Sequence, residues 1–448
     1  MRQITDIEIK KRLAFENPWW DDGVVEPRFR DWPRRAYFDG FMDLVQEKAV
    51  NRAVILMGPR RVGKTVMIQQ GVQKLLDDGV AAKNIVSIAV DTPVFTGISL
   101  ENLLGTFMEM HGHGRRAELY VFFDEIQYHP DWERHLKSLV DSYPDIRFVA
   151  SGSAAAALKM KSRESGAGRF TDFILPPLTF KEFIRFRGLE KKLFPKPNGC
   201  LIDKLNDAFI DYLNFGGFPE AVIEEAVRGR MDRYVADDII DKVLLRDIPS
   251  LYGIRDPQEL KRFFSVLAYN TGQEVSLDEL SQSSQVAKNT LKKYLDYLEA
   301  AFLICRVYRV DANARRFKRQ THFKVYLTNP CLRAALFGAV GPEDEAMGWL
   351  AETAMVAQYV HNKGFQDLYY ARWKTGRTVR EVDLVFLQAN TQKACWAEEI
   401  KWSDRAYENP MEELAGPLEF VDKSKPILGI VVTTRTKSGA QTINGGQV

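Results

Sequence analysis

The stretch "RAVILMGPRRVGKTVMIQQGVQKLL" constrains the fold more than any other part of the chain. An apolar run, Ala53 to Met57, enters Gly58-Pro59-Arg60-Arg61-Val62-Gly63-Lys64-Thr65-Val66 and continues into an amphipathic pattern. A strand that turns through a glycine-rich loop into a helix aims loop N–H groups and a positive helix end at one spot, a cradle for phosphate oxygens. In the spacing Gly-x-x-x-x-Gly-Lys-Thr, Lys64 is expected to reach the β and γ phosphates of ATP, and Thr65 to set its hydroxyl on Mg²⁺. Such a strand needs parallel neighbours, so the motif predicts an α/β sheet with the ligand at the carboxyl ends of its strands.

The neighbours are readable. "ELYVFFDEIQYHPDW" has a continuous apolar run, Leu119 to Phe123, that ends in Asp124 and Glu125. A run of that length without alternation is a strand buried on both faces. Asp124 is expected to hold Mg²⁺ through water and Glu125 to polarise the attacking water. A third strand, "DIRFVASGSAAA", ends in Ser151-Gly152-Ser153, and Ser153 is the polar group expected to sense the γ-phosphate. "KNIVSIAVDTP" supplies another short strand.

Composition excludes several classes. At 448 residues the chain is long for a single core. Net charge is +2, so any nucleic-acid surface must come from local asymmetry. Four cysteines without a CxxC pair argue against a disulfide framework or a zinc ribbon and fit a reducing, cytoplasmic setting. His111 and His113 in "MHGHGRR" lack a third ligand type nearby and read as a loop. The N-terminus carries charges throughout, unlike a signal peptide, and no apolar run is long enough to span a bilayer, so no membrane partner is expected.

With these motifs in place, residues 53 to 153 resemble an AAA-type ATPase core with Walker A, Walker B and sensor-1 positions. "GAGRFTDFILPPLTFKEFIRF", "YLNFGGFPEAV", "NPWW" and "YVADDIIDKVLLRDIPSLYGI" extend the resemblance over nearly the whole chain. The group they resemble is bacterial and archaeal ATPases with a C-terminal domain of long-unassigned function related to restriction-endonuclease folds. The resemblance implies an arginine donated by a neighbouring subunit, with Arg169 in "GAGRF" the first candidate and Arg163 the second. A trans-acting arginine works only across an interface, so a homo-oligomer, a hexameric ring, is expected. Arg60 and Arg61 read as solvated or interface residues.

Residues 276 to 304, "SLDELSQSSQVAKNTLKKYLDYLEAAFLI", place leucines on a short helix and then a longer one across a polar turn. That is the outline of helix-turn-helix, with Thr290 to Tyr297 on the would-be recognition helix. "CRVYRVDANARRFKRQTHFKVYLTN" then reads as a hairpin whose tip carries Arg315, Arg316, Lys318 and Arg319. A winged helix whose wing grips DNA phosphates has this pattern. A winged helix used as a protein spacer shares it.

Near the C-terminus, "AEEIKWSD" puts Glu399 and Lys401 on one face of a strand, and by itself this is an ordinary strand face. Its setting adds Glu352 on a helix and Asp383 on the preceding strand, with a turn at "ANTQ". This order resembles the PD-(D/E)XK nuclease fold. It implies Mg²⁺ held by Asp383, Glu399 and the Ile400 carbonyl, with Lys401 activating or orienting water and Glu352 in support. Cleavage and DNA gripping without cleavage stay open. Asn329 in "KVYLTNPCL" stands where the group's pattern leads one to expect an aspartate.

The sequence therefore predicts an α/β protein: an AAA+ P-loop ATPase core (residues 1–179), a helical lid or linker (180–255), a winged helix-turn-helix (256–328) and a PD-(D/E)XK nuclease-like domain (329–448). The function expected is an oligomeric, DNA-stimulated ATPase that remodels branched or broken DNA. The alternatives are an ATP-gated Mg²⁺-dependent endonuclease and a nucleotide-dependent switch that holds protein partners.

Overall fold

The structure is a computed structural model, and it describes residues 5–152, 168–196, 199–317, 321–360, 368–388, 390–424, 429–443 and 446–448. Ser153, Arg163, Lys318 and Arg319 lie outside the described residues. The chain divides into two compact units, Met1–Pro176 and Pro177–Val448.

The first unit is built on a five-stranded sheet, β1 (Ala53–Met57), β2 (Ile85–Ala89), β3 (Leu119–Asp124), β4 (Ile146–Gly152) and β5 (Phe170–Ile174). Its order is β2-β3-β4-β1-β5 and every pairing is parallel. β1 and β3 are buried along their whole length, as strands covered on both faces must be. β4 lies between them, so the phosphate-loop strand and the Asp124 strand are separated by the strand that ends at Gly152.

β2 is an edge strand, and "NPWW" closes it. The Asn17 side-chain amide donates to Ser87 O (2.9 Å) and accepts from Ser87 N (2.7 Å), pairing with the strand as a backbone would. The indoles of Trp19 and Trp20 both donate to Ile85 O, at 3.2 and 2.8 Å. These four bonds occupy the edge that would otherwise offer unpaired backbone groups to another chain.

The second unit carries a seven-stranded sheet of order β12-β11-β10-β9-β7-β8-β6. The strands are β6 (Glu274–Ser276), β7 (Ile304–Val310), β8 (His322–Leu327), β9 (Leu368–Thr375), β10 (Thr378–Leu387), β11 (Ala394–Ile400) and β12 (Ile430–Thr433). Residues 257–327 run helix (Pro257–Tyr269), β6, helix (Leu277–Ser284), helix (Lys288–Ala300), then the β7–β8 hairpin. Residues 347–433 run helix (Met347–Tyr359), antiparallel β9-β10-β11, helix (Ala415–Lys423), then β12 parallel to β11.

Two of the expected boundaries do not separate cores. Phe218, Val235, Ile239 and Leu244, from the expected lid, share one cluster with Phe264, Leu291, Leu295 and Leu298. The boundary at 328/329 falls within a continuous sheet, because the second edge of β7 pairs with β9 through Tyr308↔Tyr369 to Val310↔Ala371. The β7–β8 hairpin is therefore an interior part of a sheet and not a free wing.

Asn329 is buried and structural. Its Oδ1 accepts from Cys331 N (2.9 Å) and its Nδ2 donates to Tyr212 OH (3.3 Å). Gly217 packs against it so closely that a Cβ there would lie 2.7 Å from Asn329 Cγ, which accounts for the second glycine of "FGGFPEA". An aspartate at 329 would have no donor amide to offer the tyrosine.

Candidate functional site

At the carboxyl end of β1 the chain turns through Gly58–Gly63 into the Lys64–Asp77 helix. Gly63 sits at φ 95° and Arg61 at φ 62°, the left-handed geometry that reverses the loop. A Cβ on Gly58 would come within 2.2 Å of Leu175 O, so only glycine fits beside the end of β5. Lys64 is buried, and its Nζ donates to Gly58 O (3.0 Å) and Pro59 O (2.8 Å). The Thr65 hydroxyl donates to Asp124 Oδ2 at 2.7 Å. Lys64 and Thr65, adjacent in sequence, are thus joined at one end of the sheet by Asp124, 59 residues from Thr65. A hydroxyl and a carboxylate side by side at a helix start, below a lysine-capped loop, fit the magnesium–nucleotide pair that the spacing predicts.

Asp124 is held from its other side by the Ser151 hydroxyl, which donates to Oδ1. Burial pushes the Asp124 carboxyl up, and the neighbouring Glu125 adds to the shift. Glu125 follows at φ 53° and receives a hydrogen bond from Gln127 Nε2. The sequence reading placed the functional serine of this strand at 153. Within the described residues the one that touches the acid is Ser151, whose signal was its position opposite the acid end of a neighbouring parallel strand.

Arg35 was missed entirely. It is 6 % exposed, and its guanidinium donates to Val62 O (2.9 Å) and Pro176 O (2.8 Å), tying the phosphate loop to the segment after β5. Arg169 lies at the amino end of β5, where its carbonyl accepts from Ala53 N, and its Nε pairs with Asp141 Oδ1 at 2.9 Å. That end of a parallel sheet is opposite the phosphate loop.

In the second unit Glu352, Asp383 and Lys401 line one open cleft of about 500 Å³, and Glu399 pairs with Lys401. Register puts Leu384 opposite Glu398, so Asp383 and Glu399 are neighbours. A shift in the β9–β10 register between Val382 and Val385 re-aims the chain at Asp383. Ile400 N donates to Asp383 Oδ2 (2.8 Å), Asp383 N to Glu399 Oε2 (3.4 Å), and Lys401 Nζ lies 2.7 Å from Glu399 Oε1. Burial holds Glu399 and Glu352 well above the ordinary carboxylate range, Asp383 adding to it in both and the lysines opposing it.

Two residues that sequence reading did not single out complete this cluster. Lys324, in the apolar run of β8, contacts Glu352 (2.8 Å) and Glu381 (2.7 Å). Glu352 also accepts from Tyr326 OH at 2.5 Å. The Lys324 and Tyr326 contacts both end on Glu352 Oε1. Each oxygen of Asp383 and Glu399 faces an N–H or a lysine, so the expected Mg²⁺ would enter a donor pair already engaged. Among the described residues, no three or more His, Cys, Asp or Glu side chains are grouped to hold a metal ion. His113 bonds Lys83 O at 2.7 Å, and His111 is the last residue of the Leu100–His111 helix.

On the Lys288–Ala300 helix, Asn289, Lys292 and Lys293 are exposed, while Leu291, Leu295 and Leu298 are buried. Arg315 is exposed at the hairpin tip, and Arg316 lies over the Tyr369 ring at 4.7 Å. Among the described residues no helix is long and apolar enough to cross a membrane.

Comparison with known proteins fits this geometry. Residues 50–184 match the profile of the AAA domain family. Most of that matched span lies in the first unit. Residues 206–343 match a domain of unknown function, DUF8612. An uncharacterised protein of Haemophilus influenzae is 27 % identical over 303 residues, 66 % of this chain and 72 % of its own. An uncharacterised protein of Methanocaldococcus jannaschii is 22 % identical over 386 residues, 81 % of this chain and 80 % of its own. Among solved structures, the ADP form of the Aeropyrum pernix ORC2 protein is 14 % identical, covering 65 % of this chain and 91 % of its own, with a TM-score of 0.35. The replication initiator DnaA bound to AMPPCP and single-stranded DNA is 15 % identical, covering 64 % and 93 %, with a TM-score of 0.29. Structural likeness at this level decides nothing about function.

Proposed function

We propose that the protein is an oligomeric AAA-type ATPase that hydrolyses ATP and couples hydrolysis to the remodelling of DNA. The observation that carries the first half is the convergence of Lys64, Thr65, Asp124 and Glu125 at one end of the parallel sheet. In this reading the loop N–H groups and Lys64 bind the phosphates. Mg²⁺, when bound beside Thr65 and Asp124, neutralises phosphate charge. Glu125 accepts a proton from the attacking water, and Gln127 orients its carboxylate. Arg169 acts on a neighbouring subunit's nucleotide, which its place at the far end of β5 favours over its own. A homo-oligomeric ring is the assembly this requires.

The second half rests on the second unit. Its helix–strand–helix–helix–hairpin order supports a winged helix whose Lys288–Ala300 helix presents Asn289, Lys292 and Lys293 to DNA. Its helix, three antiparallel strands, helix and parallel strand support a PD-(D/E)XK-like module that grips DNA, with Lys401 and Arg372 at the cleft. Arg315 adds a phosphate contact, joined in the sequence by Arg316, Lys318 and Arg319. The test is ATP turnover with and without duplex and four-way-junction DNA. DNA should stimulate turnover, and Lys64→Ala should abolish it. Turnover indifferent to every DNA structure would reject the coupling.

A further inference from the structure

Lys324 lies in the second unit, and its surroundings are unusual for a lysine. It is 3 % exposed in the middle of β8. Its Nζ lies 2.8 Å from Glu352 Oε1, 2.7 Å from Glu381 Oε1 and 3.8 Å from Asp383 Oδ1, beside the Tyr370 ring at 5.4 Å. Carboxylate oxygens from one helix and one strand surround this single ammonium, an arrangement proteins otherwise build around a bound cation.

The rest of the cluster is also satisfied internally. Lys401 occupies Glu399, Ile400 N–H occupies Asp383 Oδ2, and Arg372 Nε lies 3.5 Å from Glu381 Oε2. Four carboxylates thus face three cationic side chains of the same chain. A divalent ion placed among them would have to displace an ammonium or sit against it, and like charges at such range in a buried site repel strongly.

We propose that Lys324 is a resident cation that takes the place of a divalent ion in this cleft, so that the nuclease-like module keeps its shape and meets DNA without metal. The inference rests on the nuclease-like reading of the module and adds a specific statement about its chemistry. It ties β8 of the winged-helix segment to the helix and strand of the nuclease-like segment through charge, consistent with the one continuous sheet. It also assigns DNA strands an intact fate at this site, since no metal-activated water would be generated there.

The test is Mn²⁺ titration by calorimetry in an Asp124→Asn background, which removes the nucleotide site's acid, together with thermal melting in EDTA and in Mn²⁺. The Asp124→Asn protein should show no Mn²⁺ binding and the same melting temperature in both. Adding Lys324→Met should lower the melting temperature in EDTA, restore it in Mn²⁺, and create Mn²⁺ binding at least about tenfold tighter than the weakest the titration can detect, because uncompensated carboxylates recruit a cation. Mn²⁺ binding by the parent that Asp383→Asn abolishes would overturn the proposal and leave the nuclease-like reading standing. Absence of Mn²⁺ binding in a folded Lys324→Met protein would overturn it as well, since Lys324 would then replace nothing. Should Lys324→Met fail to fold, the parent titration still decides. The nuclease-like reading is checked separately by DNA affinity: Lys401→Ala that left binding to duplex and junction DNA unchanged would count against the module as a DNA grip.

Discussion

Replacing Arg35 tests how the phosphate loop is held. Its guanidinium donates to Val62 O at 2.9 Å and to Pro176 O at 2.8 Å, in a site only 6 % exposed. Hydrogen bonds from a charged donor contribute about 1.5–3 kcal/mol each, and their loss leaves buried carbonyls without this donor. Arg35→Met keeps the apolar stem and deletes both bonds, so the local cost should be about 3–5 kcal/mol. Hydrogen exchange read by mass spectrometry is the suitable assay, because a chain of two units has no single unfolding free energy. Peptides covering residues 58–66 should lose protection by about a hundredfold or more, while those from Pro177–Val448 should not change. Affinity for a fluorescent ATP analogue should fall in parallel. Arg35→Lys, able to reach one carbonyl, should lie between. Loop protection and nucleotide affinity equal to wild type in Arg35→Met would refute the clamp.

Three further outcomes are expected. Glu125→Gln should lower ATP turnover by about a hundredfold or more while nucleotide still binds, because it removes the proton acceptor and leaves Lys64 and Thr65 in place; steady-state hydrolysis beside a binding titration checks this. Glu398 is buried with Tyr359 OH at 3.3 Å, and burial pushes its carboxyl up to about 7. Its folded pKa thus exceeds its unfolded one, so the unit loses stability as pH rises from the ordinary glutamate value to about 7. Glu398→Gln should therefore stabilise the peptides around β11 against opening by on the order of 2–3 kcal/mol at pH 8 and almost nothing at pH 4, read by hydrogen exchange. Lys292→Glu with Lys293→Glu should weaken DNA binding for all sequences alike and flatten its salt dependence by about one unit of slope per lost contact, as fluorescence anisotropy at several salt concentrations would show.

What could be read from the sequence depends on how the residues are strung. Gly58 to Thr65 are contiguous, so the local backbone alone assembles the loop, and the apolar run before Asp124 makes its strand unmistakable. "NPWW" was legible as a signature and its purpose was not, since closing the edge of β2 depends on which strand the sheet leaves outermost. Ser151 and Ser153 are indistinguishable until β4 is placed between β1 and β3. Arg35 and Lys324 carry no local mark of function beyond a charge in or beside an apolar stretch. Their partners lie on elements far away in sequence. The boundaries at 255 and 328 fall at breaks between elements, after Tyr252 and after Leu327. The cluster that holds Phe218, Val235 and Leu295, and the pairing of β7 with β9, run across them. For the acidic cleft the sequence supplied Glu352, Asp383, Glu399 and Lys401 and gave no hint of the counter-ion on β8 that changes their chemistry.

The central claim, ATP hydrolysis at the β1 loop coupled to DNA, is tested most directly by steady-state ATP turnover of the full chain. Wild type, Lys64→Ala and Glu125→Gln should be compared without DNA and with duplex or junction DNA. The account predicts turnover in wild type that rises with DNA and disappears in both variants. Turnover that persists in Lys64→Ala, or that no DNA structure alters, would contradict it.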